Sequence, residues 1–277
     1  MDAVSFIKMH GLGNDFVIID GRARAFPITE DRARTIADRH VGIGCDQVIV
    51  IEPPQDARAQ AFMRVHNADG SEAGACGNGA RCVGAILMQE ADRGEVCIET
   101  RSGLIEVANA GPGLVRIDMG PARLDWRDIP LARPMDTLHL DLAAGDLADP
   151  VAVNVGNPHA VFFVADAEAV DLARLGPQLE RDPLFPERAN IEVASLIERD
   201  RLRMRVWERG AGITRACGTG ACATVVAAAR RNITDRAAEV VLDGGTLAIE
   251  WRRDGHVHMT GPVAWSFFGT FDDRLFS

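Results

Sequence analysis

Two cysteines stand in near-copies of one octapeptide, "ACGNGARC" at 75–82 and "ACGTGACA" at 216–223. In each copy glycine follows the cysteine and an apolar run opens behind it, so Cys76 and Cys217 are expected at the starts of two helices. A helix start points free N–H groups and the positive end of its dipole outward, which stabilises an anion by about 0.3–1 kcal/mol. A thiolate gains from that, so a cysteine placed there is expected to titrate below its free value of about 8.5. The glycines let backbone N–H groups come close. Two such thiols offer a chemistry that one does not. One, as thiolate, removes a proton from one face of a carbon, and the other, as thiol, delivers a proton to the opposite face. The configuration inverts. The pair must then be in opposite protonation states and titrate as a coupled unit, with the helix N-termini supporting the carbanion that forms between the two transfers.

The elements that position the cysteines are written twice. "RVHNADGSEAGACGNGARC" (64–82) aligns with "RVWERGAGITRACGTGACA" (205–223) at a constant offset of 141. Upstream, "GLGNDFVIID" resembles "NVGNPHAVFFV", pairing Gly13-Asn14 with Gly156-Asn157 at an offset of 143, and the same offset pairs Gln47 with Asn190. Two pseudo-equivalent halves follow. In both, short β-like runs dominate, and alternation such as Leu202, Met204, Val206 marks half-buried antiparallel strands. Hairpins are expected at "VLDGGTLAIEW" and "WRRDGHVHM" from their Gly-Gly and Asp-Gly turns. A helix is predicted over 29–40 with Thr29 as its cap. The runs behind the two cysteines are apolar almost all round, which signals buried helices. The predicted fold is α+β: two pseudo-symmetric domains, each a curved, mostly antiparallel sheet wrapped around a central helix. The boundary is placed in "MGPARLDWRDIPLARP", giving a first half of 1–122 with the C-terminal 266–277 and a second of 123–265.

A chain of 277 residues, 47% hydrophobic, buries a substantial core. Its formal charge of −10 argues against a nucleic-acid binder. No stretch reads as a secretory signal or approaches the roughly 20 apolar residues that span a bilayer, so a cytoplasmic location and no membrane association are expected. Six cysteines are too sparse for a disulfide scaffold. Their spacings contain no CxxC pair, which argues against structural zinc. Cys82 and Cys222 fall inside the expected helices as packing residues, and Cys45 and Cys97 read as buried strand or loop residues.

The stretches "KMHGLGNDFVIID", "NADGSEAGACGNGARC", "VGNPHAVFF", "FPERANIEV" and "ERGAGITRACGTGACA", in this order and spacing, resemble the signature stretches of diaminopimelate epimerases. The resemblance runs from residue 8 to beyond 220. It implies interconversion of LL- and meso-2,6-diaminopimelate in lysine and peptidoglycan biosynthesis, an active site between two similar domains, no pyridoxal phosphate or other cofactor, no metal, and a homodimer. Carried over by position, Cys76 and Cys217 become the acid/base pair. Asn14, Gln47, Asn67, Asn157, Asn190, Glu208 and Arg209 become substrate contacts, with Gly77-Asn78 and Gly218-Thr219 beside the reacting carbon. His159 and Glu208 match the positions that tune the cysteines. These types suit a substrate with two amino-acid ends: Asn offers donor and acceptor, Arg209 forks onto a carboxylate and Glu208 takes an ammonium. Ile213, where the family often has Glu, and the small Ala73-Gly74-Ala75 run depart from the pattern away from the residues assigned to chemistry. The alternatives are a proline- or hydroxyproline-type two-cysteine racemase, and a thiol redox switch in which Cys76 and Cys217 pair reversibly.

Overall fold

In a computed structural model, which describes residues 3–276, the chain forms two units of one topology. One unit runs to Ile117 and resumes at Gly261; the other is Asp118–Thr260. The first contains β1 (Val4–Gly11), β2 (Asn14–Asp20), α1 (Glu30–Ala37), β3 (Gln47–Glu52), β4 (Ala61–Asn67), β5 (Glu72–Ala73), α2 (Gly77–Ala91), β6 (Glu95–Thr100) and β7 (Gly103–Gly111). The chain changes unit within β8 (Leu114–Pro121). The second contains the small β9–β10 hairpin (Ala143–Ala144, Leu147–Ala148), then β11 (Val151–Asn154), β12 (Pro158–Phe163), α3 (Leu172–Glu180), β13 (Asn190–Glu198), β14 (Arg201–Glu208), β15 (Gly212–Ile213), α4 (Gly218–Arg230), β16 (Ala237–Leu242) and β17 (Gly245–Trp251). It closes within β18 (His256–Pro262), after which β19 (Ala264–Phe271) returns to pair antiparallel with β1.

Strand pairing follows the repeat. In the first unit β1–β2 is antiparallel, β2–β3 parallel, β3–β4 antiparallel, β4–β6 parallel and β6–β7–β8 antiparallel. In the second, β11–β12, β12–β13, β13–β14, β14–β16 and β16–β17–β18 reproduce that series in the same senses. The two parallel joins in each sheet are crossovers that need a helix. In each unit the first join carries the helix that covers one sheet face, and the second carries the helix that begins at the cysteine. Both turn-marked hairpins form, Leu242 facing Gly245 and Trp251 facing Val257.

The buried runs show why the strands read as they do. Phe16–Ile19 and Val48–Ile51 are continuous rather than alternating because both faces of that sheet are covered. On one face, α1 closes a cluster of Phe6, Val17, Ile19, Ile36 and Val48. On the other, α2 lies against β1, β2, β6 and β7. Equivalent layers in the second unit are α3, whose Leu172, Leu175 and Leu179 cluster with Ile191 of β13, and α4, packed against β11 to β14, β16 and β17. Thr29 caps α1 as expected, accepting from Arg32 N. The helix stops at Ala37 rather than continuing to 40, because Ile43, Gly44 and Cys45 fold back to satisfy the carbonyls of Ile36 and Ala37.

Close packing of α2 on β7 depends on Gly84, where an added Cβ would lie 2.3 Å from Val107 Cγ1 and 3.0 Å from its Cβ. Gly84→Ala is therefore expected to cost about 1–3 kcal/mol by overpacking. Gly94→Ala, with nothing within 4 Å of the new atom, is expected to stay within about 0.5 kcal/mol of wild type. Denaturant melts of the two variants check this.

Candidate active site

Each cysteine is the N-cap of its unit's central helix. Cys76 has extended backbone and its sulfur accepts from Gly79 N at 3.4 Å; Cys217 does the same with Gly220 N at 3.3 Å. A sulfur is therefore held over the first turn of each helix, where the free N–H groups lie.

Around Cys76 the first unit assembles amides. Asn14, at the start of β2, places Oδ1 3.9 Å from Cys76 Sγ and 3.2 Å from Asn78 Nδ2. Asn14 is oriented from behind, donating from Nδ2 to Asp46 Oδ2 at 3.1 Å. Asn78 is oriented by Arg81, a fully buried guanidinium that donates to Asn78 Oδ1 at 2.9 Å. Asp46 belongs to a charged cluster in which Asp15 meets Lys8 at 2.6 Å and Arg39 at 2.7 Å. Burial opposes ionisation of Asp15, but Arg39 and Lys8 outweigh it and hold the carboxyl well below the usual carboxylate range. Gln47 and Asn67, facing each other across β3 and β4, form a separate pair, Gln47 Nε2 to Asn67 Oδ1 at 2.8 Å. Gln47 Oε1 is buried without a hydrogen-bond partner.

Around Cys217 the second unit assembles charge. The thiol, 4% exposed, lies 3.5 Å from Thr219 Oγ1 and hydrogen-bonds the Glu208 carboxyl at the end of β14. Glu208 also accepts from the Thr214 hydroxyl. Burial pushes the Glu208 carboxyl above its ordinary range, partly offset by Thr214. His159, on β12, bonds Glu192 on β13 through Nδ1 at 2.7 Å and Asn157 Oδ1 through Nε2 at 2.8 Å. Asn190 ties the start of β12 to the residue after β14, its Nδ2 donating to Pro158 O at 3.0 Å and its Oδ1 accepting from Arg209 N at 2.9 Å. The Arg209 side chain is exposed and donates to Glu187 O at 3.0 Å. Ile213 is exposed on β15 beside Trp207.

For Cys217 the expectation of a lowered thiol is corrected. Burial is the largest influence, and the carboxylates of Glu208 and then Glu192 add to it, so together they push this thiol well above its ordinary value despite Thr219 and Gly220 N–H. The helix N-terminus does not prevail against two acidic neighbours in a desolvated site. Cys82 is buried within α2 and is pushed up to about 12 by that burial; Cys222 is equally buried in α4, and Cys45 sits in a buried loop. Cys97, on β6, is only partly buried.

Sequence reading missed Glu192, Thr214, Asp46 and Arg81. The one signal available for Glu192 was its parity with Asn190 on a strand of apolar residues, which turns a carboxylate inward with the candidate site residue.

Two units of one topology define a fold that solved structures of other proteins share. A hydroxyproline epimerase from Agrobacterium vitis superimposes with a TM-score of 0.66 at 15% identity, covering 97% of this chain and 92% of that one. A PhzF-family phenazine biosynthesis protein from Bacillus anthracis gives 0.69 at 16% identity, covering 98% and 100%. Within this class the sequence is decisive. The diaminopimelate epimerase family model matches residues 6–124 and 151–266. Diaminopimelate epimerases of Rhodospirillum centenum and Acidiphilium cryptum are 59% and 54% identical over 270 residues, each covering 98% of this chain, and 93% and 97% of the relative. The chain belongs to the diaminopimelate epimerase family: it is an isomerase that converts LL- to meso-diaminopimelate in lysine biosynthesis. The proline and hydroxyproline racemase alternative is left with the fold alone. Among the described residues no helix is long and apolar enough to cross a membrane.

Proposed function

We propose that Cys76 and Cys217 are the acid and base of this epimerisation, acting on opposite faces of one α-carbon without a cofactor or metal. The observation that carries the reading is the matched N-cap geometry, one sulfur over the first turn of each central helix. Cys217, buried against Glu208 and Glu192, is the protonated partner in the resting enzyme, and Cys76 is then the base. The α-proton passes to Cys76 sulfur, the electron pair stays on the α-carbon, and the Cys217 S–H proton closes the opposite face. The N–H groups of Gly77-Asn78 and Gly218-Thr219 oppose the charge that spreads into the adjacent carboxylate.

The amides distribute over the substrate's two amino-acid ends. Asn14 and Asn78 beside Cys76, and Asn157 beside His159, present donors to carboxylate. Gln47 Oε1, buried without a hydrogen-bond partner, and the carbonyl side of Asn67 suit an ammonium. Arg209 grips the distal carboxylate, its backbone held by Asn190, which is itself a further contact for substrate. Glu208 takes an ammonium and, with His159, tunes Cys217. Supply of meso-diaminopimelate to peptidoglycan and a cytoplasmic location fit this role. The enzyme acts as a homodimer: β19 exposes Trp265, Phe267 and Phe268, the last 68% exposed, an apolar face suited to a second copy of the chain.

Kinetic assay with LL-diaminopimelate, L-proline and trans-4-hydroxy-L-proline under reducing conditions tests the reading. Turnover of diaminopimelate alone is expected, with Phe268→Glu sedimenting as a monomer. Turnover of a proline, or reversible thiol oxidation without any epimerisation, would contradict it.

A further inference from the structure

We infer that Glu192 is a positioning residue for the half of the reaction that runs through Cys217, its carboxylate setting the direction of a buried hydrogen-bond chain from Glu192 through His159 to Asn157. The inference rests on Cys217 being one of the two acid/base groups.

Glu192 and His159 are both 0% exposed, with Glu192 Oε1 2.7 Å from His159 Nδ1. A carboxylate only accepts, so Nδ1 carries the proton of that bond. At the other end of the ring Nε2 meets Asn157 Oδ1. With Nδ1–H committed to Glu192, the ring joins the carboxylate to the Asn157 amide in one chain, and the sense of the Nε2 bond follows the tautomer that Glu192 selects. Glu192 thereby fixes which face of the Asn157 amide is left for substrate.

The same carboxylate lies against the start of α4. A Cβ at Gly220 would come 2.8 Å from Glu192 Oε1 and 3.2 Å from Cys217 Sγ, so only glycine lets the two approach the helix's first turn together. Glu192 Oε2 is buried with no hydrogen-bond partner. A carboxylate left half-paired in a desolvated place costs stability, and an apolar side chain on that strand would avoid the cost. Folding does not account for an acid here; the chemistry of Cys217 does. The charged groups acting on Cys217 are Glu208 from β14 and Glu192 from β13, with Thr219 and Gly220 N–H from its own helix; His159 from β12 bonds Glu192 and acts on Glu208.

Glu192→Gln keeps the shape and removes the charge; Glu192→Asp keeps the charge on a shorter arm. The readouts are the pH dependence of Cys217 alkylation by iodoacetamide, followed by peptide mass spectrometry, and kcat/KM for LL-diaminopimelate. For Glu192→Gln, removing a nearby negative charge is expected to move the onset of alkylation to lower pH, with at least tenfold faster labelling at pH 8, while kcat/KM falls at least tenfold. Glu192→Asp is expected to keep the wild-type onset with a smaller loss of kcat/KM. A wild-type onset and kcat/KM within twofold of wild type for Glu192→Gln would overturn the inference, as would equal behaviour of the two variants. Cys217→Ala assayed in parallel separates the two levels: if it still epimerises, the assignment of Cys217 fails, whereas an inactive Cys217→Ala beside an unaffected Glu192→Gln sinks only the role given to Glu192.

Discussion

Cys76→Ala and Cys217→Ala are each expected to lower kcat/KM for LL-diaminopimelate by at least roughly 10³-fold, within the range that a positioned acid or base contributes. In the proposed two-base scheme each thiol serves a face the other does not reach, so the remaining cysteine is not expected to substitute. Because the two act as a unit, the double variant is expected to be no slower than either single one. The fold should survive both changes. Each sulfur caps its helix through one N–H bond of 3.3–3.4 Å, and losing a cap costs about 0.5–2 kcal/mol. Steady-state kinetics beside thermal melts separates loss of chemistry from loss of structure. A single-alanine variant with near wild-type turnover would rule out the two-base scheme.

Glu208→Gln is expected to lower kcat/KM by about 10²-fold and to move the titration of Cys217 downward. The sign follows from the causes of the Cys217 shift: burial first, then the carboxylate of Glu208, then that of Glu192, all favouring the thiol. Removing the second of these makes the thiolate easier to form, so alkylation of Cys217 should begin at lower pH than in wild type. Activity is expected to fall nonetheless, because in the proposed scheme the thiol must be protonated when the carbanion arrives and an uncharged amide is a poorer partner for an ammonium. An onset that moves to higher pH would contradict the geometry of Glu208 against Cys217.

The repeat made most of the fold legible, because a duplicated pattern reports tertiary equivalence that local propensity does not. The two buried helices read correctly since their apolar residues surround the axis, as a helix enclosed by sheet requires. α3 escaped notice although it lies at the repeat offset from α1. Pro177 stands inside it, where a proline normally breaks a helix, and the segment holds because Leu172, Leu175 and Leu179 bury one face. The C-terminal segment is placed with the first half by sequence, but its strand is not legible there: β1 and β19 are each stabilised by the other across nearly the whole chain, with register partners such as Phe6 and Gly269.

The candidate site was legible where it is duplicated and obscure where it is not. Asn14 with Asn157 and Gln47 with Asn190 stood out by their matching frames. Glu192 aligns with Ile49 in the first unit, a residue whose Cδ1 occupies the place beneath Gly79 that the Glu192 carboxylate holds beneath Gly220. One helix thus begins over a methyl group and the other over a carboxylate. That asymmetry, invisible to the repeat, is what distinguishes the surroundings of the two cysteines.

Transfer of a solvent-derived proton to one face only is the central claim, and it is read most directly by incubating LL-diaminopimelate with wild-type enzyme in D2O under reducing conditions and stopping at low conversion. The expected result is one deuterium at a single α-carbon of the meso product, with the recovered LL isomer unlabelled. Label entering the recovered LL isomer as fast as the product, or no label in either, would contradict it.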